Sequence, residues 1–270
     1  MPSATIVLVG FAAVLGLVFG SFADAVAYRE PRGISLLRES RCDACDSPVR
    51  WYRNVPVLSW LLLRGRCSSC GTFIGWHAPL VEAAAGTAFA AVAWAALARP
   101  TVGRTAWWLE LAAQLILVVV SVVLVRIDLE FRRLPNAIVL PSILAVGILL
   151  GAAALLNGAP ERVWQMLIAG AVLFLFYAVI RLISPRGMGG GDVKLAALVG
   201  LSLGYVGWGT VVVGAFAAFL GGGLYGIVLL TIGRATRRTA VPFGPWMIVG
   251  GWVGALTGER LWATYIGMVA

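Results

Sequence analysis

Long apolar runs alternate with short polar breaks along nearly the whole chain. They cover residues 5–28, 80–98, 106–125, 137–156, 163–183, 193–205, 207–232 and 241–256. Pro79, Asn157-Gly158 and Ser184-Pro185 mark some of the breaks. A helix needs about 20 mostly apolar residues to cross a bilayer. The pattern therefore predicts an all-α, polytopic integral membrane protein with about eight transmembrane helices. Two runs are marginal in length, 193–205 being the shortest. No basic residue precedes the first run, since the first is Arg29. A secretory leader carries its positive charge ahead of a short apolar core, so this run reads as an uncleaved first span with its N-terminus outside.

Composition agrees. Of the 270 residues 60% are hydrophobic and 12% charged, against roughly 25% charged in soluble domains. Too little polar surface remains to wrap a water-soluble globule. The net charge of +9 would ordinarily point to nucleic acid, but its distribution points to the membrane instead. Strict alternation puts eight basic residues in 29–66, and three each in 126–133, 181–194 and 234–238, on one side. Arg99, Arg104, Arg162 and Arg260 fall on the other, which accounts for all 21. Cytoplasmic loops collect Lys and Arg, so the larger set is read as inside, lipid as the surrounding partner, and nucleic acid as no partner.

The one long polar segment, 29–79, holds all four cysteines as Cys42-x-x-Cys45 and Cys67-x-x-Cys70. Two such knuckles offer four thiolates to one tetrahedral ion, the zinc-ribbon arrangement. On the cytoplasmic side disulfides do not persist. The segment is therefore read as a small zinc-ribbon-like insertion holding a structural Zn²⁺, which staples a domain too small for a core of its own.

Carboxylates at membrane depth cost about 2.5–3.5 kcal/mol each on insertion scales, so Asp24, Glu82, Glu110, Asp128 and Asp192 each call for a reason. Asp128 ends the third span and Asp192 follows Gly189-Gly190-Gly191 at the start of the sixth, which places both on one membrane face. Two aspartates a few ångströms apart share a proton, one serving as base and one as acid. Such a pair activates water against a peptide carbonyl without a covalent intermediate. Other readings stay open here. Asp192 suits a helix first turn with Lys194 as partner, Asp128 suits a pair with Arg132, and either suits a proton relay in a transporter whose ribbon binds a regulator.

Taken in order, further motifs narrow the choice. Gly20-Ser21-Phe22 and Tyr28-Arg29-Glu30-Pro31 come first. Then come the CxxC pairs with Trp51, Asn54-Val55-Pro56, Ser59-Trp60-Leu61 and Arg64-Gly65-Arg66, followed by Pro79-Leu80-Val81-Glu82. Asp128 with Leu134-Pro135, Gly189–Leu195 and Val241-Pro242-Phe243-Gly244-Pro245 complete the series. Across roughly residues 11 to 252 the chain resembles the bifunctional type IV prepilin leader peptidase/N-methyltransferases, GxGD aspartic proteases of family A24.

That resemblance implies an enzyme of the bacterial inner membrane. It would cut the basic leader from prepilin or pseudopilin precursors after a glycine, and methylate the new α-amino group with S-adenosylmethionine. Residues 11–98 would be the N-terminal region, with the methyltransferase-associated zinc loop at 29–79. Residues 106–232 would be the endopeptidase domain and 233–270 a C-terminal span. Asp128 and Asp192 would be catalytic, and Gly189, Gly191 and Lys194 would support substrate and loop. Gly65 and Glu82 would contact the cofactor, Glu82 suiting as well the substrate's amine or a pair with an arginine, and Cys42, Cys45, Cys67 and Cys70 would bind the metal. A related alternative is a GxGD intramembrane protease without methyl transfer. Asp24, where the pattern has asparagine, Asn136, where aspartate is common, and His77, where tyrosine is frequent, depart from it.

Overall fold

Each apolar run becomes a helix, because in lipid every backbone polar group must find its partner within the segment. The computed structural model describes residues 2–98, 103–185, 187–233 and 242–269. Arg99, Arg186, the basic residues of 234–238 and Val241 lie outside the described residues. The long helices are α1 (Pro2–Arg29), α3 (His77–Leu97), α4 (Arg104–Phe131), α5 (Asn136–Leu156), α6 (Pro160–Ile183), α7 (Gly190–Val206), α8 (Trp208–Thr231) and α9 (Gly244–Val269); the short α2 (Leu58–Leu62) lies in the polar segment. Six of them, α1, α3, α4, α5, α6 and α8, are long and apolar enough to cross a membrane. At 17 residues α7 reaches about 26 Å, short of the roughly 30 Å hydrocarbon core. No strand is present among the described residues; the only β pairing is two isolated bridges, Arg41 with Pro48 and Arg66 with Phe73.

The chain divides into two units. The first comprises Met1–Thr101 and Gln114–Arg126, the second Val102–Ala113 and Ile127–Ala270. In the first, α1 packs on α3 along small residues. A Cβ on Gly16 would lie 2.7 Å from the Ala85 carbonyl, and one on Gly20 2.9 Å from Glu82 Cα. This Gly-x-x-x-Gly spacing lets two backbones approach closely, which substitutes for a hydrophobic driving force in lipid. Arg126 Nε of α4 donates to Asp24 Oδ1 of α1 at 3.0 Å.

In the second unit α6 packs on α7 and α8 on α9 by the same device. Gly200 and Gly204 face Ala169 on α6, and Gly254 faces the Thr210 carbonyl on α8. Glu110, half-buried near the start of α4, accepts from Asn157 Nδ2 at 3.1 Å and from Tyr205 Oη at 2.5 Å. Its depth therefore has a structural reason.

Candidate active site and metal centre

Asp128 lies one turn before the end of α4. That end is set by Arg132, whose left-handed φ of 52° brings its N–H onto the Asp128 carbonyl at 2.9 Å, an αL cap. Leu134-Pro135 then forces extended backbone before α5. Asp192 is the third residue of α7. Its Oδ2 accepts from the Gly189 N–H at 2.9 Å, the reciprocal half of a capping box. Both carboxylates are buried, at 4% and 9% exposure, and lie within electrostatic reach of each other. Among the described residues Asp128 Oδ2 has no hydrogen-bond partner. Among the described residues Asp128 makes no ion pair, so the Arg132 alternative fails. Asp192 does serve as a first-turn acid, but Lys194 Nζ donates to Asn136 Oδ1 at 2.6 Å instead of pairing with it.

Glycines bring this backbone together. A Cβ on Gly191 would stand 2.6 Å from Leu134 Cβ, and one on Gly244 2.8 Å from Asp128 Oδ2. The Gly244 N–H faces the Asp128 carboxylate. Tyr177, fully buried on α6, lies close enough to feel the Asp192 charge and stacks on Phe219, with Phe243 beside both. Nothing in the apolar run 163–183 singles Tyr177 out; only a polar tip within an otherwise lipophilic stretch could have signalled it.

The cysteines form two matching knuckles. Cys42 N–H donates to Ser47 and Asp46 N–H to Cys42; Cys67 N–H donates to Thr72 and Gly71 N–H to Cys67. The left-handed turn residue is Asp46 in one and Gly71 in the other. The ligand atoms of all four cysteines lie within 4.8 Å of one another, and all four are free thiols. A tetrahedral Zn–S₄ site, with Zn–S near 2.3 Å, has sulfurs about 3.8 Å apart. The Cys42 and Cys70 sulfurs are 3.8 Å apart, so the donor set fits a metal ion. The Ser47 hydroxyl beside Cys45 lowers its thiol pKa, the Thr72 hydroxyl lowers that of Cys70, and the Cys70 backbone N–H lowers that of Cys67. Backbone hydrogen bonds lower Cys42 too, but desolvation and the neighbouring thiols leave it raised, to about 11.

Beside the knuckles the first unit holds an open cavity of about 550 Å³ whose walls include Ser21, Asp24, Tyr28, Trp60, His77 and Glu82. Glu82, buried at the start of α3, accepts from the Val57 N–H at 2.7 Å and pairs with no arginine among the described residues. Gly65 is not part of that wall. Its left-handed φ of 68° and the rings of Trp60 and Phe73, 2.8 and 2.9 Å from a Cβ there, account for its missing side chain. His77 belongs to no metal cluster among the described residues.

Helices long and apolar enough to cross a membrane, two buried aspartates on separate helices within electrostatic reach of each other and a cysteine cluster able to hold a metal describe a polytopic membrane protein. The bacterial peptidase A24 N-terminal domain matches residues 14–96, and the type IV leader peptidase family matches residues 115–227. The chain belongs to that family. It is 31% identical to a prepilin leader peptidase/N-methyltransferase of Stutzerimonas stutzeri, over 94% of this chain and 92% of that one. Proteins of the same description from Pseudomonas putida and Bacillus subtilis (strain 168) are 32% and 31% identical. They cover 94% of this chain with 92% and 96% of their own lengths. No solved structure matches the chain.

Proposed function

We propose that the protein removes the leader of prepilin or pseudopilin precursors at the cytoplasmic face of the bacterial inner membrane, and then methylates the exposed α-amino group. The observation that carries the cleavage is the buried pair Asp128 and Asp192, with Asp128 Oδ2 unpartnered among the described residues. In this reading the pair holds one proton. The ionised member draws a proton from water as its oxygen attacks the scissile carbonyl carbon, and the other protonates the departing amine. The two titrate as a unit, and no acyl-enzyme forms. Gly189 fixes Asp192, Gly191 seats α7 against Leu134, and Lys194 holds α7 to the first residue of α5. A prepilin inserts with its charged leader inside, so its scissile bond lies at the interface where both aspartates lie within a turn or so of their helix ends. That placement favours a peptidase over a transporter, whose sites lie near the midplane.

In this reading 11–98 serves methyl transfer, 106–232 cleavage and 233–270 is a terminal span; two separate family matches, at 14–96 and 115–227, support a division into two parts. Cys42, Cys45, Cys67 and Cys70 would hold Zn²⁺, which would brace the insertion and supply no open coordination position. The cavity has the size of a small-molecule site, and S-adenosylmethionine bound there would supply an electrophilic methyl group. Glu82 fixes the Val55–Val57 turn against α3 at its edge. The test is to incubate purified protein with a prepilin and read the product N-terminus by mass spectrometry. A new N-terminus after the glycine, heavier by one methyl when donor is present, is expected. An intact precursor would contradict the proposal, and a cleaved but never methylated one would reduce it to a peptidase.

A further inference from the structure

We propose that Asp24 and His77 form the amine-handling site of the methyl transfer: Asp24 receives the α-ammonium group and His77 takes its proton. This rests on assigning that transfer to the cavity of the first unit. Both side chains line the cavity. Arg126 Nε holds Asp24 Oδ1 at 3.0 Å, which leaves Oδ2 facing His77 Nε2 at 3.9 Å. That gap is too long for a hydrogen bond. It is the right base for a third atom, since a nitrogen about 2.9 Å from each completes the triangle at ordinary hydrogen-bond lengths.

The surroundings fit a cation. Glu82, also on the wall, lies within electrostatic reach of Asp24, so a second carboxylate stands near the first. Arg38 and Arg41, also on the wall, are both engaged by Asp46 at 3.3 and 3.1 Å. Arg29 and Arg53, the other arginines on the wall, donate to the Leu36 carbonyl and the Ser68 hydroxyl. His77 opens α3, and its side chain is 54% exposed, so a proton taken there has a way out to water. On the other side of the ring a Cβ on Gly75 would come within 2.9 Å of Nδ1, so a side chain at 75 would push the imidazole aside.

The chemistry balances. An ammonium N–H proton passes to His77 Nε2. The freed nitrogen lone pair attacks the methyl carbon of the sulfonium, and the C–S bonding pair goes to sulfur. The products are a neutral thioether and a secondary ammonium, and His77 releases its proton to water. Methyl transfer gains most from holding amine and donor in line. Asp24 supplies the aim and His77 the deprotonation, a role worth about 100-fold or more.

The test uses the purified full-length protein with Asp24→Asn and His77→Gln. Its first readout needs no methyl donor. A synthetic peptide with the sequence after the scissile glycine of a prepilin is offered with a free or an acetylated amino terminus. The wild type is expected to prefer the free amine at least tenfold, and Asp24→Asn to lose that preference. The free peptide is also expected to protect His77, the chain's one histidine, from diethylpyrocarbonate. Second, the ratio of methylation to cleavage is expected to fall about 100-fold in His77→Gln and to recover in part with added imidazole. Retained amine preference in Asp24→Asn, an unchanged ratio in His77→Gln, or a loss that imidazole does not relieve would overturn the proposal. Photo-crosslinking of labelled S-adenosylmethionine to the wild type separates the two levels. Labels outside the cavity remove the parent assignment, while labels inside it, with either variant behaving as wild type, remove only the Asp24–His77 site.

Discussion

Replacing Gly244 with alanine puts a methyl group where the Asp128 carboxylate now lies. The new Cβ would be 2.8 Å from Oδ2 and 3.3 Å from Cγ, whereas ordinary contact begins near 3.4 Å. The carboxylate must therefore retreat by about 0.6 Å, and Leu134 Cδ1, also at 3.4 Å from that position, limits the room to do so. Misplacing a reacting group by about 1 Å costs on the order of 100-fold. The expected loss in the rate of prepilin cleavage is thus roughly 10- to 100-fold, or about 1.4–2.8 kcal/mol of barrier. Gly223→Ala is the control, because nothing lies within 4 Å of a Cβ there. Cleavage is measured as initial rates on a purified precursor in detergent, with both variants at matched amounts. If Gly244→Ala cuts within twofold of Gly223→Ala, Asp128 is not held where the chemistry happens and the reasoning fails.

Three further outcomes are expected. Cys42→Ser with Cys45→Ser should remove the bound metal and impair methylation more than cleavage; equal loss of both in paired assays would mean that the insertion supports the whole fold. Metal retention should fall as pH falls. The lowered thiols of Cys45, Cys67 and Cys70 favour the binding thiolates above their pKa values, and acid protonates them. Elemental analysis after stepwise dialysis checks this, and loss on the alkaline side alone would reverse the sign. Gly16→Leu should force α1 from α3, since even a Cβ would meet Ala85 and Gly86 at 2.7 Å; a cost of about 1–3 kcal/mol is expected as a lower thermal midpoint, and an unchanged midpoint would contradict the packing.

The spans were legible because transfer into lipid is read off one dimension of sequence. Each of the eight apolar runs overlaps a long helix, and even the short run at 193–205 is matched by the short α7. The knuckles were legible for a similar reason, since metal geometry fixes CxxC spacing. Pairings across helices were not, because one apolar face resembles another. Lys194 bonds Asn136 and leaves Asp192 alone. Glu82 turns to the Val57 amide, a partner that no side-chain pattern announces. The resemblance implies a cofactor contact at Gly65, and the groups that close on it in the fold are Trp60 and Phe73 of the same insertion. Asp24 stands out in the sequence as a carboxylate at membrane depth and, like His77, as a departure from a pattern, but it takes the fold to show that the two face each other.

The most direct measurement of the central claim is single-turnover cleavage by Asp128→Asn, Asp192→Asn and the double variant, each verified as membrane-inserted. If one proton serves both carboxylates, either single change removes nearly all activity and the second adds no further loss. Appreciable turnover from either single variant, or independent multiplying losses, would contradict the account.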